Sequence, residues 1–598
     1  MQLSFLKKKS TKKIALIVFT ILLFLLVSFL ALYQTQFNHG KIWSYLGTSD
    51  DRFHMMRIEG LYHSLQRHQF FPFVNMSFMN GFGYIVNVFY SDLLLYPAAF
   101  LRLIGFSSAQ TLMGYYLLVN FLTFGISFLC FYKVSQKYFN SLVFSFVYTL
   151  STYRLHNLLF RHDLGEVGAF IFLPIAMLGI YEIFYGNRKK WWYLTFGMTA
   201  IIYSHAISPI LVAMLIIIVG LCQFKEIKKH PKRLLSLGWA ALCSLLLSAA
   251  YFLPMIEQLR HTKFVLTQSN GILPKGATSF FDMSKWSLNN GLGEPNIGIV
   301  LFITAVVIVL SFTKIKNKAI KDFALIGVIL LLCSTKVFPW VILNHTPFKV
   351  IQYPWRFDML VTLLLAIVVA SDPLHLFNSK LAKSGLIFFT LLFSISASYR
   401  LVQGSPLQFV NQSEYNQLEP FSIGAGQEYL PQGTSLSDLQ RMPHKPRITA
   451  GKAKISQFKQ YGTRLSFDFK NAKNAKVDIP IIAYYGFQST QSEGKVSSLR
   501  VDKRNNNLAQ VTVNGSGKVV VDYFETMTQK VARRISFLSL LIMVAMIFIN
   551  KLNLVDFGRI EGLRSKRIKK AESIADSAFL VILSNHQRRS MMLNYLAL

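Results

Sequence analysis

Cysteine is scarce in this chain of 598 residues. Its four cysteines, Cys130, Cys222, Cys243 and Cys333, all lie in apolar runs. None has the spacing of a metal site, and no outer disulfide framework can be drawn from them. Acidic residues are also few: 28 Asp and Glu stand against 63 Lys and Arg, a net charge of +35. That excess would point to nucleic acid only if it were clustered on a soluble face. Most of it lies instead in short loops between apolar runs, which is a topology signal. Internal repeats and low-complexity stretches are missing. A Gly-rich phosphate loop is missing too, because Gly81 and Gly83 read as a turn. Charged residues make up only 15% of the chain and hydrophobic ones 52%, which excludes an ordinary soluble protein.

Long apolar runs are what the chain has instead. The first, residues 14–33, is long enough to span a bilayer and follows Lys7, Lys8, Lys9, Lys12 and Lys13. It reads as a retained anchor with a cytoplasmic N-terminus, since no small-residue cleavage site flanks it. Further spans are expected near 109–132, 141–158, 168–185, 192–207, 208–224, 235–253, 297–312, 323–341, 357–371, 385–401 and 535–550, about twelve in all. The run 86–104 contains Asp92, Pro97 and Arg102 and makes a poor span. If it lies along the surface, the basic loops at Lys133–Lys137, Arg188–Lys190, Lys225–Arg233, Lys314–Lys321 and Lys380–Lys383 all fall inside. It is therefore expected to be an outer juxtamembrane helix.

This parity gives a mainly α polytopic membrane protein of the bacterial plasma membrane, with both termini cytoplasmic. A transmembrane domain covers 1–401, with a first outer loop at 34–108. Residues 402–530 are polar and alternate, as in Leu465-Ser-Phe467-Asp-Phe469. They suggest a small extracytoplasmic β-sandwich-like domain. Val511–Val513, then Asn514-Gly515-Ser516-Gly517, then Val519–Tyr523 read as a β-hairpin. This domain is expected to be replaceable by a short linker without loss of membrane insertion. Residues 531–550 form the last span, and 551–598 a basic cytoplasmic tail.

The outer side collects an unusual polar set. Asp50 and Asp51 follow the first span, with His54, Arg57 and Glu59 behind them. Arg154, Arg161, His162, Asp163 and Glu166 follow the third span, His205 the fifth, Glu257, Arg260 and His261 the seventh, and Tyr353 and Arg356 the ninth. Cations that oppose the topology rule need a reason, and an anionic ligand is one. Each residue also has a plain structural reading. Asp50 and Asp51 could cap the helix starting near Phe53. His54 and His205 could be satisfied polar residues at helix ends. Arg161, Asp163 and Glu166 could be an ion-pair cluster, Glu257 could pair with Arg260, and Trp355 could be an interfacial anchor.

These motifs carry a resemblance. They are Ser49-Asp50-Asp51-Arg52-Phe53-His54 with Arg57-Ile58-Glu59-Gly60, Gly81-Phe82-Gly83-Tyr84, Tyr153-Arg154, Leu164-Gly165-Glu166 and Pro354-Trp355-Arg356-Phe357. With the helix order, they resemble the GT-C class of integral-membrane glycosyltransferases. The closer resemblance is to the bacterial membrane family called 6-pyruvoyl-tetrahydropterin synthase-related, which is similar to the YfhO-like proteins. No residue suggests pterin chemistry. The resemblance implies transfer of a sugar from a polyprenyl-phosphate carrier to a cell-envelope glycopolymer or lipid at the outer face. Asp50, Asp51 and His54 would be catalytic, and Asp50 and Asp51 could hold a divalent metal, Mg or Mn. Arg57, Arg154, Arg161, Asp163, Glu166, His205, Arg260, Tyr353 and Arg356 would bind substrate, with Arg154, Arg161, Arg260 and Arg356 as bidentate phosphate forks. The partners implied are the lipid-linked sugar, the acceptor and membrane lipid, with no nucleic acid. Trp191-Trp192 is followed by Tyr193, which departs from the Trp-Trp-Asp signature of oligosaccharyltransferases. The alternative is a non-enzymatic transporter, flippase or assembly protein for lipid-linked saccharides. A transporter would show polar or broken helices at mid-membrane and inverted repeats.

Overall fold

The computed structural model describes residues 2–37, 41–43, 50–268, 273–404, 409–424, 426–490 and 492–549. The expected tail 551–598 lies outside them. Helices dominate: α1 Gln2–Leu32, α2 Asp51–Gln66, α3 Ser108–Ser135, α4 Tyr138–Thr149, α5 Leu164–Phe184, α6 Trp192–Ser204 and α7 Ser208–Cys222. They continue as α8 Lys232–Leu247, α9 Ala249–His261, α10 Gly298–Ser311, α11 Lys318–Cys333, α12 Asp358–Ser371 and α13 Lys380–Gly404. Residues Met527–Ile549 form another apolar helix. The described chain divides into two units after Arg533.

The expected count of about twelve spans is not confirmed. Among the described residues, six helices are long and apolar enough to cross a membrane: Lys12–Phe37, Ser108–Ser135, Leu164–Phe184, Pro354–Ser371, Lys380–Gly404 and Met527–Ile549. A seventh arises if α8 and α9, bent by 68° at Ser248, form one broken span. Helices α4, α6, α7, α10 and α11 have only 12, 13, 15, 14 and 16 residues. Apolar composition suggested spans there, but the helices stop early. His205 ends α6 in extended conformation, and Phe312–Lys314 tightens into a 3₁₀ turn after α10. The run 86–104 breaks into short pieces, Val86–Phe89, Leu93–Leu95 and Tyr96–Leu103, and none of them spans.

Helix α3 connects two contrasting ends of the bundle. At its start, Ser108 Oγ donates to Glu59 Oε1 at 2.8 Å. At its far end, Lys133 lies 5.1 Å from the Tyr193 ring centre. Near that far end Lys383 Nζ donates to Asn140 at 3.0 Å, and Lys318 and Lys190 pair with Asp322 and Glu182. The basic loops thus gather at one end of the bundle. The acidic pair and the loop after α4 lie at the other.

The polar segment is built differently from the expectation. Lys41–Trp43 (β1) pairs antiparallel with Phe409–Asn411 (β2). Then come β3 Arg447–Tyr461, β4 Arg464–Ile482, β5 Phe487–Ser489, β6 Glu493–Val496, β7 Arg500–Asp502 and β8 Leu508–Tyr523. They form one six-stranded antiparallel sheet ordered β3-β4-β8, with β5, β6 and β7 sharing the other edge of β8. It is one sheet and not a sandwich. The expected hairpin at 514–517 is not formed, because 508–523 is one continuous strand. Its partner is the long β4, from Leu465↔Val521 to Ile482↔Leu508, and bulges beside Gly515 absorb the irregular stretch. A local turn signal gave way to long-range pairing.

The sheet does not own its core. Phe467, Phe469, Val477, Ile479, Val511 and Val521 pack in one buried cluster with Phe53, Met56, Phe78, Phe82, Tyr84 and Phe89 of the first loop. Tyr84 N and O also bond Asn75, and Ile482 N donates to Phe82 O at 2.9 Å. The first loop and the sheet therefore form one folding unit. Replacement of the sheet by a linker would expose that loop's apolar face, so the loop's folding depends on the sheet whether or not the helices still insert.

Candidate functional site

The site begins where the chain leaves the third helix of the bundle, α4. Residues Asn157–Arg161 make a π-helical turn, and His162 follows in the left-handed region at φ 56°. Such turns are costly and concentrate at functional sites. Asp163 then caps α5, its Oδ1 accepting from Glu166 N at 3.0 Å. The turn aims Arg161 back at the helix start: Arg161 lies 3.2 Å from Asp163 and 3.5 Å from Glu166. Its guanidinium also donates to Asn157 and sits 4.7 Å from the Trp355 ring centre.

Several chain segments close this cluster. Tyr153 Oη donates to Glu166 Oε1 at 2.6 Å. Tyr90 Oη donates to Asp163 Oδ1 at 3.3 Å. His205, at the end of α6, shares a 2.8 Å hydrogen bond between Nδ1 and Ser208 Oγ. Ligand atoms of Asp163, Glu166 and His205 lie within 4.8 Å of one another, and all three residues are buried. Two carboxylates and an imidazole are a donor set for a divalent cation. The sequence motifs point to Asp50 and Asp51 for this task; among the described residues, the group of three that could share a cation is Asp163, Glu166 and His205.

Asp51 is buried and accepts from Tyr415 Oη at 3.2 Å and from Arg52 N at 2.8 Å. Asp50 stands at the cap position of α2 yet makes no capping hydrogen bond from its side chain. Capping therefore does not explain Asp50. Its N–H donates to Arg161 O at 2.9 Å, which ties α2 to the turn after α4. Burial pushes its carboxyl up to about 7, helped by Asp163, opposed by Arg161, and raised further by Glu428 and Asp51. Burial also pushes Asp163 upward, but Arg161, His205 and the Glu166 N–H outweigh it and hold it well below the ordinary carboxylate range. The two acids are thus driven apart, one toward holding a proton at neutral pH and one firmly ionised.

The remaining candidates separate into those inside and those outside. Arg356 is buried; it lies 5.5 Å from the Tyr353 ring centre and donates from Nη1 to Ile351 O at 3.2 Å. Its buried Nε donates to nothing, which leaves a donor for an anion. Tyr353 stacks on Trp355 at 5.0 Å. Arg57 is engaged as a clamp: it donates to Tyr90 O and Ser91 O at 2.8 Å, to Asp92 Oδ1 at 2.9 Å and toward His54 Nδ1 at 3.2 Å. Burial, then the Arg57 charge, holds His54 well below its ordinary value, which favours the neutral imidazole. Arg154 is fully buried against α3, donating to Asn120 Oδ1, Thr123 Oγ1 and Thr149 O. Those partners are helix-packing groups and not site residues. Arg260 is exposed on α9, and Glu257 accepts from Thr526 rather than pairing with it.

Sequence reasoning did not single out Tyr90, Tyr153, Trp355 or Glu428 as parts of this centre. Tyr90 and Glu428 lie far from Asp163 in the chain and carry no local signal. Glu428 reaches the centre because Val265 and Leu266 N–H groups hold the 428–430 stretch, each at 2.9 Å.

Comparison with known proteins follows from this geometry. Among solved structures, the oligosaccharyltransferase of Archaeoglobus fulgidus, crystallised with Zn and sulfate, matches with a TM-score of 0.32 and 13% identity. The match covers 64% of this chain and 53% of that one, so the chain spans about half of its length. No curated protein matches the chain. The pterin-synthase designation finds no support in these comparisons. The family model described as bacterial membrane protein YfhO matches residues 19–422, and the chain belongs to that family of multi-pass bacterial membrane proteins.

Proposed function

We propose that this chain is a GT-C-like glycosyltransferase that moves a sugar from a polyprenyl-phosphate carrier to an envelope glycopolymer or lipid. The observation that carries the reading is the buried convergence of Asp163, Glu166 and His205 beside Arg161, with Asp50 held near neutrality. In the reaction the acceptor hydroxyl attacks the anomeric carbon and its proton passes to Asp50. The anomeric C–O bond to phosphate breaks, and the phosphate leaves with the electron pair. Asp50 is suited to the first task, since a base works best with a pKa near the working pH. The leaving phosphate needs fixed positive charge in a dry site. Arg356, with its unused Nε, is the residue suited to meet it.

Asp163, Glu166 and His205 would hold a divalent cation, which would add positive charge beside the leaving phosphate. The imidazole favours Mn over Mg, because Mg prefers oxygen donors alone. The test is transfer from a synthetic polyprenyl-phosphate sugar by the purified full chain, with and without chelator. Release of carrier phosphate that Mn restores is the expected result. Arg356→Lys is expected to lose activity although the charge stays, because lysine lacks the fork. Equal turnover in Asp163→Asn, Glu166→Gln and wild type would remove the cluster from the mechanism.

A further inference from the structure

A cavity of about 180 Å³ opens beside the first loop, and neither Asp163, Glu166 nor His205 lines it. Its walls come from segments far apart in sequence: Phe71 and Phe73, then Asn87, Ser91 and Asp92, then Tyr251 of α9 and Arg533. A water needs on the order of 10–15 Å³ of such space, so the cavity has room for a ring-sized solute.

The polar groups in it are unevenly satisfied. Tyr251 Oη is spent on Phe89 O at 2.6 Å, and Asn87 Nδ2 on Pro72 O at 3.0 Å. Asp92 is 8% exposed, and only its Oδ1 is taken, by Arg57 at 2.9 Å. Asp92 Oδ2 and Asn87 Oδ1 are buried and accept from nothing. Buried orphan acceptors are costly, and a native fold keeps them for a reason. Charge narrows the choice of donor. Arg57 already neutralises Asp92, and Arg533 is held by Glu525 through two bonds of 2.7 and 2.6 Å. The pocket is therefore close to neutral and has no need of a cationic ligand. The walls are aromatic, with the Arg533 guanidinium 5.2 Å from the Phe71 ring centre and Phe73 stacked on Tyr523 at 6.0 Å. Water would satisfy the acceptors but not these faces. A pyranose ring does both: its hydroxyls donate, and its C–H face packs on aromatic rings.

We infer that this cavity is a binding subsite for one neutral sugar ring, with Asp92 Oδ2 and Asn87 Oδ1 accepting from its hydroxyls and Phe71 and Phe73 packing its face. Resting on the proposed transferase reading, the ring belongs to the acceptor. Arg57 joins the subsite to the reacting end, since it holds Asp92 on one side and His54 of the Asp50-bearing helix on the other.

Binding can be tested without any assay of transfer. The detergent-purified full chain is examined by saturation-transfer NMR with methyl glucoside, methyl galactoside, methyl mannoside and N-acetylglucosamine, and with cyclohexanol as a ring lacking the hydroxyl set. At least one sugar is expected to give a signal that cyclohexanol does not. That signal should fall several-fold in Asp92→Asn and in Phe71→Ala. Phe71 is 58% exposed, so its truncation leaves the fold intact, and an unchanged melting temperature checks this. No signal from any sugar, a matching signal from cyclohexanol, or an undiminished signal in both variants overturns the subsite. A failed Mn titration at the acid cluster would leave this result standing, and the reverse also holds.

Discussion

In the proposed reaction the Asp50 carboxyl is the base. With its pKa near 7, the fraction able to take a proton grows as pH rises through neutrality. Transfer by the wild-type chain is therefore expected to increase from pH 6 to pH 8, with a midpoint near 7, and pH–rate profiles of kcat/KM check it. Asp50→Asn should remove the rise and lower the rate by roughly 100- to 10,000-fold, the usual range for a lost general base. A pH-independent wild-type rate would exclude Asp50. Stability moves the opposite way. Between the ordinary 3.8 and about 7, the folded chain holds a proton that the unfolded chain has released. This group's contribution to stability thus falls as pH rises across that window and is level above it. A glycine sets the neighbouring geometry. A Cβ on Gly165 would lie 1.8 Å from Tyr90 Oη. Gly165→Ala must push Tyr90 off Asp163, and a loss of Mn affinity measured by calorimetry, in a chain that still inserts, is the expected outcome.

Elements are held by close backbone approach as much as by apolar area. A Cβ on Gly179 would meet Leu194 N at 2.2 Å, and one on Gly197 would meet Ala176 N at 2.4 Å. Helices α5 and α6 therefore touch through glycines, the packing that membrane helices use where lipid removes the hydrophobic drive. Gly197→Val is expected to destabilise the chain by about 1–3 kcal/mol, the usual cost of overpacking, read as a lower melting temperature in detergent. An unchanged melting temperature would mean that α6 is free to shift. The same contact bears on the site, because α5 starts with Asp163 and Glu166 while α6 ends at His205. A small rotation between these helices would spread the three ligand atoms.

At the scale of the whole molecule, the sheet and the first loop stand or fall together. Phe82, 1% exposed, packs with strand residues in the shared cluster. Replacing 409–523 by a flexible linker is expected to leave the first loop protease-sensitive and to abolish Mn binding, although α3 still has the length to insert. Limited proteolysis of membranes containing the variant would show it. A deletion variant with wild-type protease resistance and metal binding would show that the loop folds alone. Phe82→Ala should cost about 3–5 kcal/mol, as for other buried phenylalanines.

Apolar runs and lysine placement made the membrane class, the loop order and the strand alternation of 465–481 legible from the sequence. These depend on local periodicity and on charge counted loop by loop. Asp50, Arg161, Asp163, Glu166, His205 and Arg356 were also visible, because charge opposing the topology rule stands out in an apolar chain. Their division of labour was not visible. Whether an acid holds a proton or a metal depends on which neighbours burial brings within a few ångströms. Tyr90, Tyr153 and Glu428 arrive from distant segments. Arg154 and Arg57, like Arg356, each leave a buried Nε without a partner, but their outer nitrogens are engaged by Asn120, Thr123 and Asp92, away from the acid cluster's carboxylates. The hairpin signal at Asn514-Gly515 failed for the same reason: a local turn preference is worth less than the long ladder from Leu508 to Val521 against β4. Composition and periodicity determined that this is a multi-pass membrane protein, because apolar runs and loop charge are local properties; only tertiary packing decided which helices are long enough to cross and which charged groups are brought together.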